Sequence, residues 1–184
     1  MSCTIADGRE WVCKEQVGGI VAVYFANDIL LNTPEVITAA ETGTIAAATL
    51  ADIDGAGATA TLYKYALPEY TASYTETLTS APENGTLFYE QAVELTLHKL
   101  TANDRDEIKL LAAGRPNVIL EDNNGNFILA GWRKGMNVTT AAAQTGTAAG
   151  DLSGYVISMT GSEPVAAPFI VDLSSATIVS APVR

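Results

Sequence analysis

Apolar and polar residues alternate with period two across the centre of this chain, most clearly from Thr86 to Leu100, where Leu87, Tyr89, Val93, Leu95 and Leu97 fall on odd positions. Glu90, Glu94, Thr96 and His98 fall on even ones. That spacing predicts a strand with one core face and one polar face. At ~3.3 Å per residue the stretch is about 50 Å long, so a bend or bulge is expected within it. The preceding run, Thr71 to Ser80, alternates as well. Ser73, Thr75 and Thr77 point one way, and Ala72, Tyr74, Glu76 and Leu78 the other. Between the two runs, Asn84-Gly85 supplies the positive φ of a tight connection, which predicts a hairpin. Glu76 then lies on the apolar side and needs a partner there.

The remaining elements follow from shorter signals. Gly19 to Phe25 is β-branched and aromatic and reads as a buried strand. Thr44 to Leu50 is a further candidate strand, Asp52 to Gly57 a turn, and Thr59 to Ala66 an alternating strand closed by Pro68. Thr101, with Asp104 three residues on, opens a helix that Gly114, in a left-handed cap, and Pro116 should stop. Asn117 to Asp122 and Phe127 to Trp132 flank an Asn-rich turn as a second hairpin, and Arg133 to Gly135 turns into Met136 to Thr140. Ala141 to Gly150 has no bulky side chain and reads as a loop or flap. Asp151 to Gly161 is another strand, and the tail supplies one more around Phe169 to Asp172 or Ala176 to Val179. About seven to nine strands and one helix define an α+β chain, mainly antiparallel β, as a β-sandwich or half-barrel with one flanking helix. The expected organisation is a single domain over 1–184, with an N-terminal arm to about residue 18 and a C-terminal extension from about residue 164.

Composition narrows the function. The hydrophobic share of 48% and mean hydropathy of +0.18 support a packed core. The formal charge is −11, and it is unevenly placed. From Glu15 to His98 eleven acids face one base, Lys64, whereas Lys99 to Arg184 holds eight acids and seven bases. A chain this acidic does not grip nucleic acid by neutralising phosphates. Its acidic half is either a solubilising surface or one that repels a polyanion. The polar start lacks a secretory signal, so synthesis in a cytoplasm is expected, and the apolar run Gly18 to Ala26 is far short of the ~20 residues of a membrane helix. Cys3 and Cys13 have neither disulfide-framework nor zinc spacing and read as free thiols.

No reactive constellation emerges. His98 is the single histidine, which leaves a Ser-His-Asp arrangement dependent on one strand residue. Asp52-x-Asp54-Gly55 places its glycine too early for a calcium loop, and no phosphate-binding glycine loop carries a lysine. Glu90 and Glu94 share a strand face ~13 Å apart, beyond the reach of a glycosidase pair. The Asn84 and Asn137 sequons mean nothing without a secretory route. Trp11 and Trp132 are either contact anchors or core residues. The chain is expected to be no enzyme and to need no cofactor or metal.

The run NGTLFYEQAVELTLHKLTANDRDEIKLLAAGRPNVILEDNNGNFILAGWRKGMNV, from Asn84, and GTAAGDLSGYVISMTGSEPVAAPF, ending at Phe169, resemble the tail tube protein family of tailed bacteriophages. The shared parts are a long amphipathic strand, a capped helix, a hairpin, a short turn and a Gly-Tyr strand ending in Gly-Ser-Glu-Pro. Ile37 to Ala60 departs from many such proteins in its wealth of Ala, Thr and Gly. The resemblance implies a β-sandwich-like subunit whose sheet joins its neighbours' in a closed ring, usually of six, with rings stacked into a virion tube for the genome. It implies further copies of the chain, a tape-measure-like protein and tail terminator or neck proteins as partners, with DNA passing through without specific binding. Ser73, Thr75, Thr77, Glu90, Glu94 and Thr96 would then line the lumen. Thr33 to Ala47 and Ala141 to Gly150 are the expected ring-to-ring contacts. A neck, terminator or capsid-decoration protein is the alternative, followed by a bacterial surface or carbohydrate-binding sandwich.

Overall fold

The computed structural model describes residues 14, 16–27, 43–45, 61–171, 173–174 and 176–180. In chain order these form β1 (Ile20–Ala26), β2 (Thr44–Ile45), β3 (Thr61–Ala66), β4 (Ala72–Ala81), β5 (Thr86–His98), α1 (Ala102–Ala113), β6 (Asn117–Asp122), β7 (Phe127–Ala130), β8 (Asn137–Gln144), β9 (Gly154–Glu163), β10 (Phe169–Ile170) and β11 (Thr177–Val179). Cys3, Cys13, Trp11, the Asp52 turn and most of Thr33 to Leu50 lie outside the described residues.

The strands build two sheets. One has four strands in the order β4-β5-β9-β8, antiparallel throughout. The other has seven in the order β11-β3-β1-β6-β7-β10-β2, antiparallel at its centre and parallel at both ends. Val93, Leu95, Ile157 and Met159 of the small sheet pack against Val23, Phe25, Val118 and Leu120 of the large one, and Ile108 of α1 joins them. Ala22, Tyr24, Leu62, Ile119, Leu129 and Trp132 face the other way into a second cluster with Ile170 and Leu173. The large sheet is therefore buried on both faces, which is why β1 and β6 read as continuous apolar runs. The small sheet is buried on one face only, so β5 alternates. The predicted α+β sandwich is thus the observed fold.

α1 starts where its capping residue stands. Thr101 Oγ1 accepts a hydrogen bond from the Asp104 N–H at 3.1 Å, an arrangement that stabilises a helix start by about 1 kcal/mol. At the other end, the Gly114 N–H bonds the Leu110 carbonyl, but with φ −99° and ψ −170°. The expected left-handed cap is absent, and Pro116 two residues later suffices to end the helix.

Two further expectations are corrected. β5 pairs with β4 and β9 without a register break, and the irregularities fall in β1 and β8 instead. Ala141 to Gln144 is the second half of β8, since a ladder needs backbone partners and not bulk. In the tail both candidate places form strands, β10 and β11, and Leu173 between them joins the core. The end of the N-terminal arm is tied down too. Asn124 bonds both the N–H and the carbonyl of Val17, each at 3.0 Å, and Asn123 Nδ2 reaches the Gly18 carbonyl.

Candidate functional site: the open face and edges of the small sheet

Ladder register brings polar residues from four strands into rows across the open face of the small sheet. Ser73 stands opposite Glu94, Glu94 opposite Ser158, and Ser158 opposite Thr140. The next row runs Thr75, Ala92, Thr160, Asn137, and the one beyond it Thr77, Glu90, Ser162. Towards the other end lie Thr96, Val156 and Ala142, then His98, Gly154 and Gln144. Ser73, Thr75, Thr77, Glu90 and Glu94 are exposed and Thr96 is half-buried. All six residues singled out from the sequence therefore share this face. Among the described residues its only carboxylates are Glu90 and Glu94, and none of its rows contains lysine or arginine.

β9 contributes Ser158, Thr160 and Ser162, which the sequence reading passed over. Their signal was present in the alternation Ser158, Met159, Thr160, Gly161, Ser162, Glu163. Only the apolar half of that pattern had been used.

The sheet's other face is held by buried polar groups. Glu163, 1% exposed, accepts at Oε1 from the backbone N–H groups of Lys134 (2.8 Å) and Arg133 (3.2 Å). Burial pushes its carboxyl up, and those two donors with their nearby positive side chains only partly offset this. Gln91, also 1% exposed, accepts from the Gly131 N–H at 2.8 Å. Asn117 Nδ2 donates to the Gly131 carbonyl. The turn between β7 and β8 is thereby fixed from three strands: Asn117 of β6, Gln91 of β5 and Glu163 of β9. Trp132, within that turn, is a core residue at 1% exposure.

Glu76 finds its partners on the same side. Its Oε1 accepts from Gln91 Nε2 at 3.0 Å and from the Ala167 N–H at 2.8 Å, which pins the crossing from β9 to β10 beneath the hairpin. Burial, reinforced by the neighbouring Glu76 charge, raises Tyr74 well above the usual phenol range.

The edges are the remaining feature. Among the described residues β4 and β8 each have a ladder neighbour on one side only. β8 carries no charge and no proline, and the sole charge of β4 is Glu76, already engaged on the core side. Long edges of this kind are templates for pairing with another chain, because nothing on them repels a further strand.

Among the described residues no group of three His, Cys, Asp or Glu side chains comes together, and no helix is long and apolar enough to cross a membrane. Neither protein-family models nor curated proteins nor solved structures yield a match to this chain.

Proposed function

We propose that the chain is a structural subunit that assembles by pairing β8 of one copy with β4 of the next, closing a ring around the face that carries Glu90 and Glu94. The observation that carries this reading is the pair of edges, unguarded among the described residues, that flank an open face whose described rows hold no lysine or arginine. Strand polarity supports it. With four antiparallel strands per copy, β8 runs opposite to β4, so rotation of one copy onto the next continues the antiparallel alternation at every junction. Closure satisfies both edge ladders of the small sheet. A ring of six would contribute 24 strands, beyond the 16 to 18 at which barrels already hold an aqueous channel, by roughly a third.

The wall of that channel would be hydroxyl-rich and acidic. Phosphates moving past it would meet no fixed cation and release no counterions, so a polyanion would slide without adhering. This property suits the tail tube of a bacteriophage, the family that the sequence resembles, with the genome as cargo and a tape-measure-like protein and tail terminator or neck proteins as axial partners.

Negative-stain microscopy and sedimentation of the purified chain test the reading. Stacked rings or filaments are expected. Single closed rings that do not stack would favour a neck or terminator protein, and monomers at high concentration would sink the ring. Ala141→Lys, an exposed substitution on the β8 edge, should leave near-UV dichroism unchanged and abolish assembly.

A further inference from the structure

The β4–β5 hairpin reaches past the body of the molecule. The last pair joining β5 to β9 is Tyr89 with Glu163, and the β9–β10 crossing passes at Glu76. Tyr89 stands opposite Leu78, so beyond Leu78 the hairpin's two strands run on alone to Ala81 and Thr86, about 10 Å of ladder. At the base of that overhang and along it, core-side positions stand open among the described residues: Leu78 is 52% and Leu87 56% exposed, although by parity both share the face of Tyr74 and Val93.

An apolar groove lies on the opposite flank. α1 runs beside β8, its C-terminal end held where the Met136 N–H bonds the Pro116 carbonyl. Between α1 and the ends of β1 and β3 opens a groove of about 420 Å³ lined by Phe25, Tyr63, Tyr65, Leu110, Leu111 and Arg115, with Glu107 at the helix. Leu110 is 66% exposed there and Tyr63 40%.

We infer that the overhanging hairpin of one copy seats its Leu78 and Leu87 in this groove of the next copy. The inference rests on the edge pairing proposed above, which brings the β4 flank of one copy to the β8 flank of another. Overhang and groove both lie on the side of the small sheet away from the Glu90 and Glu94 face, so they meet behind the same junction. Arg115 on the groove's lining would offer the hairpin-tip Glu83 a countercharge, with Glu107 elsewhere on the same lining. The contact is heterologous, with a different patch from each copy, as a ring requires.

Leu87→Cys with Leu110→Cys, in a chain carrying Cys3→Ser and Cys13→Ser, tests this under mild oxidation with microscopy alongside. The double variant should give a ladder of covalent oligomers on a non-reducing gel, whereas each single variant gives at most a dimer. Rings on the grid without a ladder would overturn the docking and leave edge pairing intact. Absence of rings and ladder together would remove the edge pairing itself, and the docking with it. Leu110→Asp, an exposed change that spares the fold, should raise the concentration needed for assembly about tenfold or more.

Discussion

Gln91 donates its Nε2 hydrogen bond to Glu76 Oε1, 3.0 Å away, from the position directly opposite it on the β4–β5 ladder. The same glutamine accepts from the Gly131 N–H, and the same carboxylate from the Ala167 N–H. One cross-strand pair thus ties the hairpin to the β7–β8 turn and to the crossing between the sheets. It lies two rows inside the Leu78–Tyr89 pair, where the ladder with β9 ends and the overhang begins.

That double role predicts strong coupling. Glu76→Ala strands two donors and should cost about 2–4 kcal/mol, and Gln91→Ala should cost a similar amount by stranding the Gly131 N–H. Because both act through one network, the double variant should lose at least about 0.5 kcal/mol less than the two losses combined. Urea denaturation of the four proteins checks this, and strict additivity would show that the pair is not a unit.

Glu163 predicts a pH dependence. Burial raises its carboxyl above the ordinary glutamate value despite the Lys134 and Arg133 N–H donors. The folded state therefore favours the protonated form. Its contribution is fully present below the unfolded-state value and is lost as pH rises through the folded one. Glu163→Gln keeps an acceptor for both donors but does not titrate. Stability measured in urea at steps from pH 4 to 8, as wild type minus variant, should fall as pH climbs. A flat or rising difference would contradict the assignment.

Much of this arrangement could be read in the sequence, and the failures have physical causes. β5 and β4 were legible because one face of their sheet is buried and the other open, which writes period two into the residues. The hairpin was legible too, but its register was not: four residues, Pro82 to Gly85, connect the strands, and this is what places Gln91 opposite Glu76. β8 was half missed because its outer part is built from alanines, and a strand whose side chains face solvent at a sheet edge needs no bulk. Glu163 was missed because a carboxylate at a core position is explained only by the Arg133 and Lys134 N–H groups, 30 and 29 residues away in sequence. The split of eleven strands into two sheets has no local signal at all.

Gly135 adds a backbone prediction. It sits at φ +71°, and a Cβ there would run into the Arg115 carbonyl, where the start of β8 passes the end of α1. Gly135→Ala should therefore cost about 1–3 kcal/mol from the left-handed backbone, and more if Arg115 cannot yield. The loss would appear as a lower urea midpoint with an unchanged slope. A neutral substitution would mean that the turn shifts freely.

The open face gives the prediction closest to function. Glu90 lies between Thr77 and Ser162, and Glu94 between Ser73 and Ser158, so neither forms an ion pair across its ladder. Replacing both with lysine removes no stabilising partner, and stability should stay within about 0.5 kcal/mol of wild type. The face itself would change from two negative charges to two positive ones. Assemblies of Glu90→Lys with Glu94→Lys should then retain fluorescent duplex DNA at low salt and release it steeply as salt rises. Each phosphate neutralised adds about −0.9 to the slope of log affinity against log salt. Wild-type assemblies should retain none under the same conditions. If wild type held DNA equally well, the proposal that this face lines a channel for a polyanion would fail.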